Sequence, residues 1–175
     1  MANINTKEYW DERWNKHPMF SRKLEKVIMN LVEPNTVVID FGCGSGRILR
    51  GLRKDKNCEV MGSDISQVAI DKLQRWGISG EVMDLEKSML YSKICDISIL
   101  SHTLEHITND ELVIEELANA TRKYTIIAVP NDCMEDEPEH VRKYTKESLS
   151  KLVLKYFSSI EDHSVGVHLI LKCFV

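Results

Sequence analysis

Residues 38–46, VIDFGCGSG, join a short apolar run to a loop with glycine at every second position. The apolar run predicts a buried β-strand. Gly42, Gly44 and Gly46 allow close approaches that side chains forbid, so we expect backbone N–H groups here to reach a bulky cofactor. In an open parallel sheet, ligands bind at the carboxyl ends of the strands. The stretch therefore predicts a cofactor site at the sheet edge of an α/β fold.

Short apolar runs alternate with one-sided amphipathic stretches along the rest of the chain, which predicts a parallel sheet covered by helices. The predicted strands lie at 37–40, 58–64, 80–84, 94–101, 124–130, 159–164 and 167–175. The predicted helices lie at 47–55, 67–77, 109–122 and 145–157. The last two strands are separated only by a turn at Gly166, so we expect the sheet to end in an antiparallel hairpin.

Size and composition indicate one domain over residues 1–175, because 43% of its 175 residues are hydrophobic. A formal net charge of −4 gives no general attraction to nucleic-acid phosphates. No signal-peptide pattern or membrane-length apolar run is visible. The five cysteines form no CxxC pair, which disfavours a zinc site or a disulfide framework. We therefore expect a cytoplasmic protein.

Two positions that flank the glycine loop indicate which class of ligand it binds. A dinucleotide fingerprint, GxGxxG, counted from Gly42 fails at Arg47. The carboxylate of Asp40 would repel a pyrophosphate but attract a cationic ligand. S-adenosylmethionine carries both a sulfonium and an ammonium group, and this favours it over a dinucleotide.

Two further carboxylates are placed for the nucleoside half of such a cofactor. Asp64 ends the second predicted strand about 20 residues past the glycines, where an acid can accept hydrogen bonds from both ribose hydroxyls. Asp84 ends the third predicted strand, can accept from an adenine amino group, and is followed by Leu85 to cover the ring. The spacing matches one nucleoside laid across three neighbouring strand ends.

The motifs VVIDFGCGSGRIL, GSDIS, VMDLEK, HTLEHI, AVPN and EHVRKYT, in this order, closely resemble those of class I S-adenosylmethionine-dependent methyltransferases. The resemblance implies a doubly wound, Rossmann-like, seven-stranded sheet of order 3-2-1-4-5-7-6 with the last strand antiparallel. It also implies S-adenosylmethionine as cofactor and S-adenosylhomocysteine as product. The chain lacks the Pro-Gly-Gly turn of many relatives before strand five, at 121–124. The expected cofactor-binding residues are Asp40, Gly42, Cys43, Gly44, Gly46, Asp64, Ile65, Asp84, Leu85, Ser101 and Trp10.

The N-terminal segment, 1–33, is expected to form a helical lid. Tyr9, Trp10 and Trp14 are spaced for one helical face and can cover the cofactor. Simple packing of an N-terminal helix explains the same spacing.

Candidate catalytic groups follow the fourth predicted strand in SHTLEHI, residues 101–107. On a helical start, His102, Glu105 and His106 share one face, and His140 can reach the same cleft. One interpretation makes a histidine the general base for an oxygen nucleophile. In another, these groups bind a divalent metal. In a third, Glu105 caps a helix and His106 packs.

The metal interpretation rests on a resemblance to ubiquinone-pathway O-methyltransferases and small-RNA 2′-O-methyltransferases, which carry a metal-binding ExxEH stretch. His102 replaces the first Glu here, which weakens an oxygen-rich magnesium site and suits a transition metal better.

The sequence thus favours an enzyme that methylates oxygen, or else nitrogen, on a small molecule. The alternatives are an RNA 2′-O-methyltransferase with a metal-assisted site, and a non-catalytic S-adenosylmethionine-binding partner subunit. We expect no membrane or nucleic-acid partner, and either a monomer or a homodimer.

Overall fold

The computed structural model describes residues 4–16, 21–88, 90–131 and 137–175. Parts of the expected lid segment, at 1–3 and 17–20, and Cys133 lie outside these residues. Among the described residues, no helix is long and apolar enough to cross a membrane. The strands are β1 (Val37–Phe41), β2 (Glu59–Asp64), β3 (Ser79–Val82), β4 (Cys95–Ser101), β5 (Thr121–Pro130), β6 (Ser159–Asp162) and β7 (His168–Phe174). The α-helices are α1 (Lys7–Lys16), α2 (Arg22–Leu31), α3 (Arg47–Lys56), α4 (Gln67–Gln74), α5 (Asp110–Ala120) and α6 (Lys146–Val153).

Within the described ranges the strands form one seven-stranded sheet of order β3-β2-β1-β4-β5-β7-β6. The first five strands pair in parallel, whereas β7 is antiparallel to both β5 and β6. This confirms the strand order implied by the resemblance and the terminal hairpin predicted from Gly166, which has φ +60°. Because β1 and β4 are central neighbours whose outgoing connections diverge, their carboxyl ends form the crevice of a doubly wound sheet.

Helices cover both faces of the sheet, as parallel strands require. Ile28, Leu49 and Leu73 from α2, α3 and α4 are fully buried in one cluster with Val38 of β1. On the other face, α5 and α6 pack against β4, β5 and β7 in a second cluster. The two cores hold β1 and β4 rigidly, so the residues just after these strands have fixed positions.

The junction between α5 and β5 differs from the sequence prediction. The helix was predicted to extend to residue 122, but it ends at Ala120 and the strand begins at Thr121 without a turn. Thr121 makes this possible because its backbone N–H and its side-chain hydroxyl both donate to Leu117 O. This junction lies at the opposite end of β5 from the strand's carboxyl end.

Candidate active site

A cavity of about 340 Å³ lies at the carboxyl ends of the central strands, beneath α1. Ten of the eleven residues that the sequence indicated for the cofactor line it, and the exception is Gly46. The ten are Asp40, Gly42, Cys43, Gly44, Asp64, Ile65, Asp84, Leu85, Ser101 and Trp10. The strand ends that the sequence identified therefore converge on one space.

The glycine loop is shaped by close contacts with two side chains from other elements. Gly42 has φ +75°, and a Cβ there would lie 2.1 Å from Thr103 Oγ1. Gly44 has φ +52°, and a Cβ there would lie 2.4 Å from the Trp14 ring. Gly46 instead faces Leu73 of α4, so its role is to allow α4 to pack closely. Two of the three glycines thus border the cavity and the third serves the core.

Three of the loop amides, those of residues 42–44, are bonded within the protein and are not directed at a ligand as predicted. Gly42 N and Cys43 N both donate to Ser63 O, at 2.8 and 2.9 Å. Gly44 N donates to Asp64 Oδ2 at 2.8 Å. The loop is therefore fastened to the end of β2, and it offers a ligand close backbone approach rather than these N–H groups.

Asp64 is buried at the point where β2 ends. Its Oδ1 accepts from Ser66 N at 2.9 Å, while Oδ2 holds Gly44 N. Burial raises the pKa of Asp64 to about 6, and the two backbone N–H donors limit the rise. Each carboxylate oxygen can accept a second hydrogen bond, so both retain capacity for a hydroxyl donor.

Asp40, the penultimate residue of β1, is the most unusual acid in the cavity. Its side chain is buried, and its Oδ1 has no hydrogen-bond partner among the described residues. Burial, with a smaller contribution from the Asp64 charge, raises the pKa of Asp40 well above its usual range. A buried acceptor without a partner is costly, and a cationic ligand group fits it.

Asp84 lies two residues beyond the end of β3, because the strand stops at Val82 rather than at 84. Its Oδ1 accepts from Glu86 N at 3.1 Å, and Lys87 Nζ lies 2.6 Å from Oδ2. Leu85 beside it is buried. An adenine amino group would therefore share the carboxylate with a surface lysine.

Helix α1 covers the cavity and is attached to the rest of the protein on two sides. Asp11 Oδ1 accepts from Ser66 Oγ at 2.6 Å and from Val68 N at 3.1 Å, at the start of α4. Arg13 Nη2 pairs with buried Glu139 at 2.8 Å. Trp10 and Trp14 line the cavity as expected; Tyr9 packs edge-on against Trp10 outside it. Asp11 carried no signal for this role beyond being an acid in a predicted helix.

The residues after β4 differ from the predicted helical start. His102 has φ +53°, and only Leu104–His106 form a short 3₁₀ turn. His102 nevertheless meets Glu105, with Nδ1 3.3 Å from Oε1. Its other nitrogen, Nε2, lies 3.0 Å from Nδ1 of His168, the first residue of β7. The sequence analysis missed His168, which lines the cavity with His102 and His106.

Glu105 is buried, and neither of its oxygens has an aligned hydrogen-bond donor among the described residues. Burial raises the pKa of Glu105, but the neighbouring His102 and His106 lower it more, so the net pKa lies below its usual range. Glu105 is therefore a buried carboxylate held by imidazoles and is not a helix cap.

His140 contacts His106, with ring centroids 5.0 Å apart, but does not line the cavity. Ligand atoms of Glu105, His106 and His140 lie within 4.8 Å of one another, as a metal site would require. However, His106 Nδ1 donates to Glu139 O at 3.1 Å, and burial lowers the pKa of His106. His102, at the first position of the HxxEH stretch, turns to His168.

Comparisons with known proteins agree with the fold. A chain of the complex between the Haloferax volcanii Trm112 methyltransferase activator and a methyltransferase superposes with TM-score 0.80 at 15% identity, covering 99% of this chain and 97% of that one. Magnesium protoporphyrin IX methyltransferase of Synechocystis, crystallised with S-adenosylhomocysteine, gives 0.74 at 14% identity, covering 96% and 97%. At such identities these likenesses concern the fold alone.

A curated relative is carboxy-S-adenosyl-L-methionine synthase of Idiomarina loihiensis, 26% identical over 133 residues, or 65% of this chain. The chain spans about half, 54%, of that relative's length.

The sheet order, together with the glycine loop and the acids at the strand ends, defines the fold of the class I S-adenosylmethionine-dependent methyltransferases. Residues 22–136 match the family model described as methionine biosynthesis protein MetW. The chain belongs to the MetW family.

Proposed function

We propose that the protein binds S-adenosylmethionine in the cavity and catalyses methyl transfer to an oxygen, or else a nitrogen, of a small molecule. The observation that carries the proposal is the buried, unpartnered Oδ1 of Asp40, next to the glycine loop. A buried carboxylate in this position suits the ammonium group of the cofactor.

The remaining acids would hold the nucleoside. Asp64, already fixed by two backbone N–H groups, would accept the ribose hydroxyls with its remaining lone pairs. Asp84 would accept from the adenine amino group, and Leu85 would cover the ring. Trp10 and Trp14 on α1 would close the site and exclude water.

Bound S-adenosylmethionine supplies an electrophilic methyl group, whose bond to sulfur breaks as the acceptor's electron pair forms the new bond. The chain's contribution is to hold the acceptor in line at short distance and to receive its proton.

Several observations support a small acceptor in a cytoplasmic setting. Helix α1 covers the cavity, and the chain's net charge is −4, which does not favour a polyanion. The described cysteines, Cys43, Cys58, Cys95 and Cys173, are buried and unpaired, which suits a reducing compartment. The protein would act as a monomer or a homodimer.

A calorimetric titration with S-adenosylhomocysteine tests the cofactor assignment, first on metal-stripped protein and then with magnesium, manganese or zinc. We expect binding without metal. Asp64→Ala should weaken it by about 10- to 100-fold, the value of a lost hydrogen bond to a charged group. The matched control is Asp55→Ala, an exposed acid on α3. Equal affinity in the Asp64 and Asp55 variants would refute the placement of the ribose.

The similarity to a methyltransferase in complex with an activator supports a second candidate, a cofactor-binding subunit that needs a partner for transfer. Radiolabelled S-adenosylmethionine distinguishes the two. Binding without product over a panel of phenols, carboxylic acids and amines would favour the subunit, and product from the isolated chain would exclude it.

A further inference from the structure

His102 and His168 form a connected pair of rings above the end of β5. His102 directly follows β4 and His168 begins β7, and β5 lies between these strands in the sheet. His102 Nε2 and His168 Nδ1 are 3.0 Å apart, and the rings meet edge-on with centroids 5.0 Å apart. Both rings line the cavity. The contact spans 66 residues of sequence, so it depends on the fold.

The backbone holds His102 in an uncommon conformation to make this contact. A φ of +53° is unfavourable for a residue with a side chain, and such residues concentrate at functional sites. Its N–H donates to Ala128 O of β5 at 2.8 Å, which fixes the turn. The backbone of His102 is therefore held by the sheet, and this fixes the point from which its ring extends.

The charge of Glu105 lies beside His102 and bears on which nitrogen of each ring carries a proton, although neither carboxylate oxygen has an aligned donor. The Glu105 carboxylate, 3.3 Å from His102 Nδ1, favours a proton on that nitrogen. His102 Nε2 then has a lone pair and accepts a hydrogen bond from His168 Nδ1–H. His168 Nε2 is left with a lone pair, and no described residue bonds to it. The chain Glu105–His102–His168 thus ends in a basic nitrogen on a cavity-lining ring.

We propose that His168 is the general base that removes the acceptor's proton, and that His102 and Glu105 position it; this rests on the proposed function. The O–H electron pair stays on the acceptor oxygen, and the proton binds the Nε2 lone pair of His168. The Nδ1 proton of His168 can then move to His102 Nε2, which leaves the positive charge on His102 beside the Glu105 carboxylate.

The surroundings of His168 suit a base. Burial lowers the pKa of His168, the neighbouring His102 and Lys23 lower it further, and Glu105 opposes them. The ring therefore stays neutral at pH 7 and is ready to accept a proton.

Long-range ¹H–¹⁵N NMR of the full-length protein tests this assignment, since the chain has only six histidines. We expect His168 as the neutral tautomer with unprotonated Nε2, and His102 with its proton on Nδ1. In His102→Asn this His168 signature should be lost; asparagine tolerates the left-handed backbone, so the fold is kept. His163→Asn, at a half-buried histidine that pairs with Glu161 and does not line the cavity, is the matched control and should leave the His168 signals unchanged.

A second readout is carbethoxylation by diethyl pyrocarbonate, which requires an unprotonated, accessible ring nitrogen. Peptide mapping should find His168 modified in the wild type and at least tenfold more slowly in His102→Asn. A proton on Nε2 of His168 in the wild type, or the same tautomer and rate in His102→Asn, would overturn the proposal. Failure of S-adenosylhomocysteine to bind, with the tautomers as expected, would instead overturn the proposed function and with it the role of His168 as base, and would leave only the arrangement of the histidine pair established.

Discussion

The ring of Trp14 occupies the space that a side chain on Gly44 would need, since a Cβ at residue 44 would lie 2.4 Å from the ring. Helix α1 and the glycine loop therefore pack against each other closely in the ligand-free protein. The contact explains why residue 44 is glycine. Its amide is bonded to Asp64 and is therefore not what requires a glycine for ligand binding.

Gly44→Ala should destabilise the protein through both the positive φ and the collision with Trp14. We expect a loss of about 2–4 kcal/mol in the free energy of unfolding. In a Trp14→Ala background the collision is gone and only the backbone strain remains, so the cost should fall by at least 1 kcal/mol. Urea unfolding of the four proteins measures this. Identical costs in both backgrounds would show that the ring does not press on the loop.

The raised pKa of Asp64 predicts a pH dependence of stability in the ligand-free protein. The folded protein binds a proton at Asp64 up to about pH 6, whereas the unfolded chain releases it near 3.8. The protonated carboxyl therefore favours the fold below pH 3.8, and this contribution, about 3 kcal/mol, is lost as the pH rises to 6.

In Asp64→Asn the side chain does not titrate, so this pH-dependent change in stability is absent. The unfolding free energy of the wild type minus that of Asp64→Asn should fall between pH 4 and pH 6.5, measured in urea without ligand. Exposed Asp55→Asn should show no such trend. A difference that is constant or rises with pH would contradict the burial argument.

Asp40 and Asp64 are assigned to different parts of the cofactor, and two ligands can separate them. Asp40→Asn should weaken S-adenosylhomocysteine about 10- to 100-fold, because the ammonium loses a charged partner. It should leave 5′-methylthioadenosine, which lacks the amino-acid portion, unaffected. Asp64→Asn should weaken both ligands. Calorimetry on the four pairs checks this, and equal losses for both ligands in Asp40→Asn would refute the ammonium assignment.

Glu105→Gln removes a buried charge that His102 and His106 stabilise. The pKa of Glu105 is held below its usual value of 4.5, so its contribution to stability is present above that pH and is lost as the pH falls through the folded pKa. At pH 7 the variant should unfold about 1–3 kcal/mol more easily. The control is Glu115→Gln, an exposed acid on α5. Equal stability of the two variants would mean that the imidazoles do not hold the carboxylate.

The sheet order, and the convergence of ten of the eleven expected cofactor residues on one cavity, could be predicted because their signals are local. An apolar run followed by a glycine or an acid, as at Gly42 and Asp64, indicates the end of a strand. The carboxyl ends of parallel strands meet at one edge of the sheet. The finer errors arose where local signals conflict. Thr121 continues a helical pattern, but its hydroxyl bonds back to Leu117 and lets the strand begin at once.

The histidine pair could not be predicted from local patterns. In the sequence, His168 is the second residue of the strand predicted at 167–175, and only the placement of β7 beside β5 brings it to His102. The φ of His102 is likewise fixed by Ala128 on β5 and not by its neighbours in sequence. The hydrogen bonds of the Gly42 and Cys43 amides could not be predicted for the same reason, because their acceptor, Ser63 O, belongs to another strand, β2.

The most direct measurement is a crystal structure of the protein grown with S-adenosylhomocysteine. We expect the ligand in the cavity, with ribose hydroxyls on Asp64, the ammonium group at Asp40 and the adenine beside Leu85. Ligand bound elsewhere, or in the cavity with its ribose away from Asp64, would contradict this expectation.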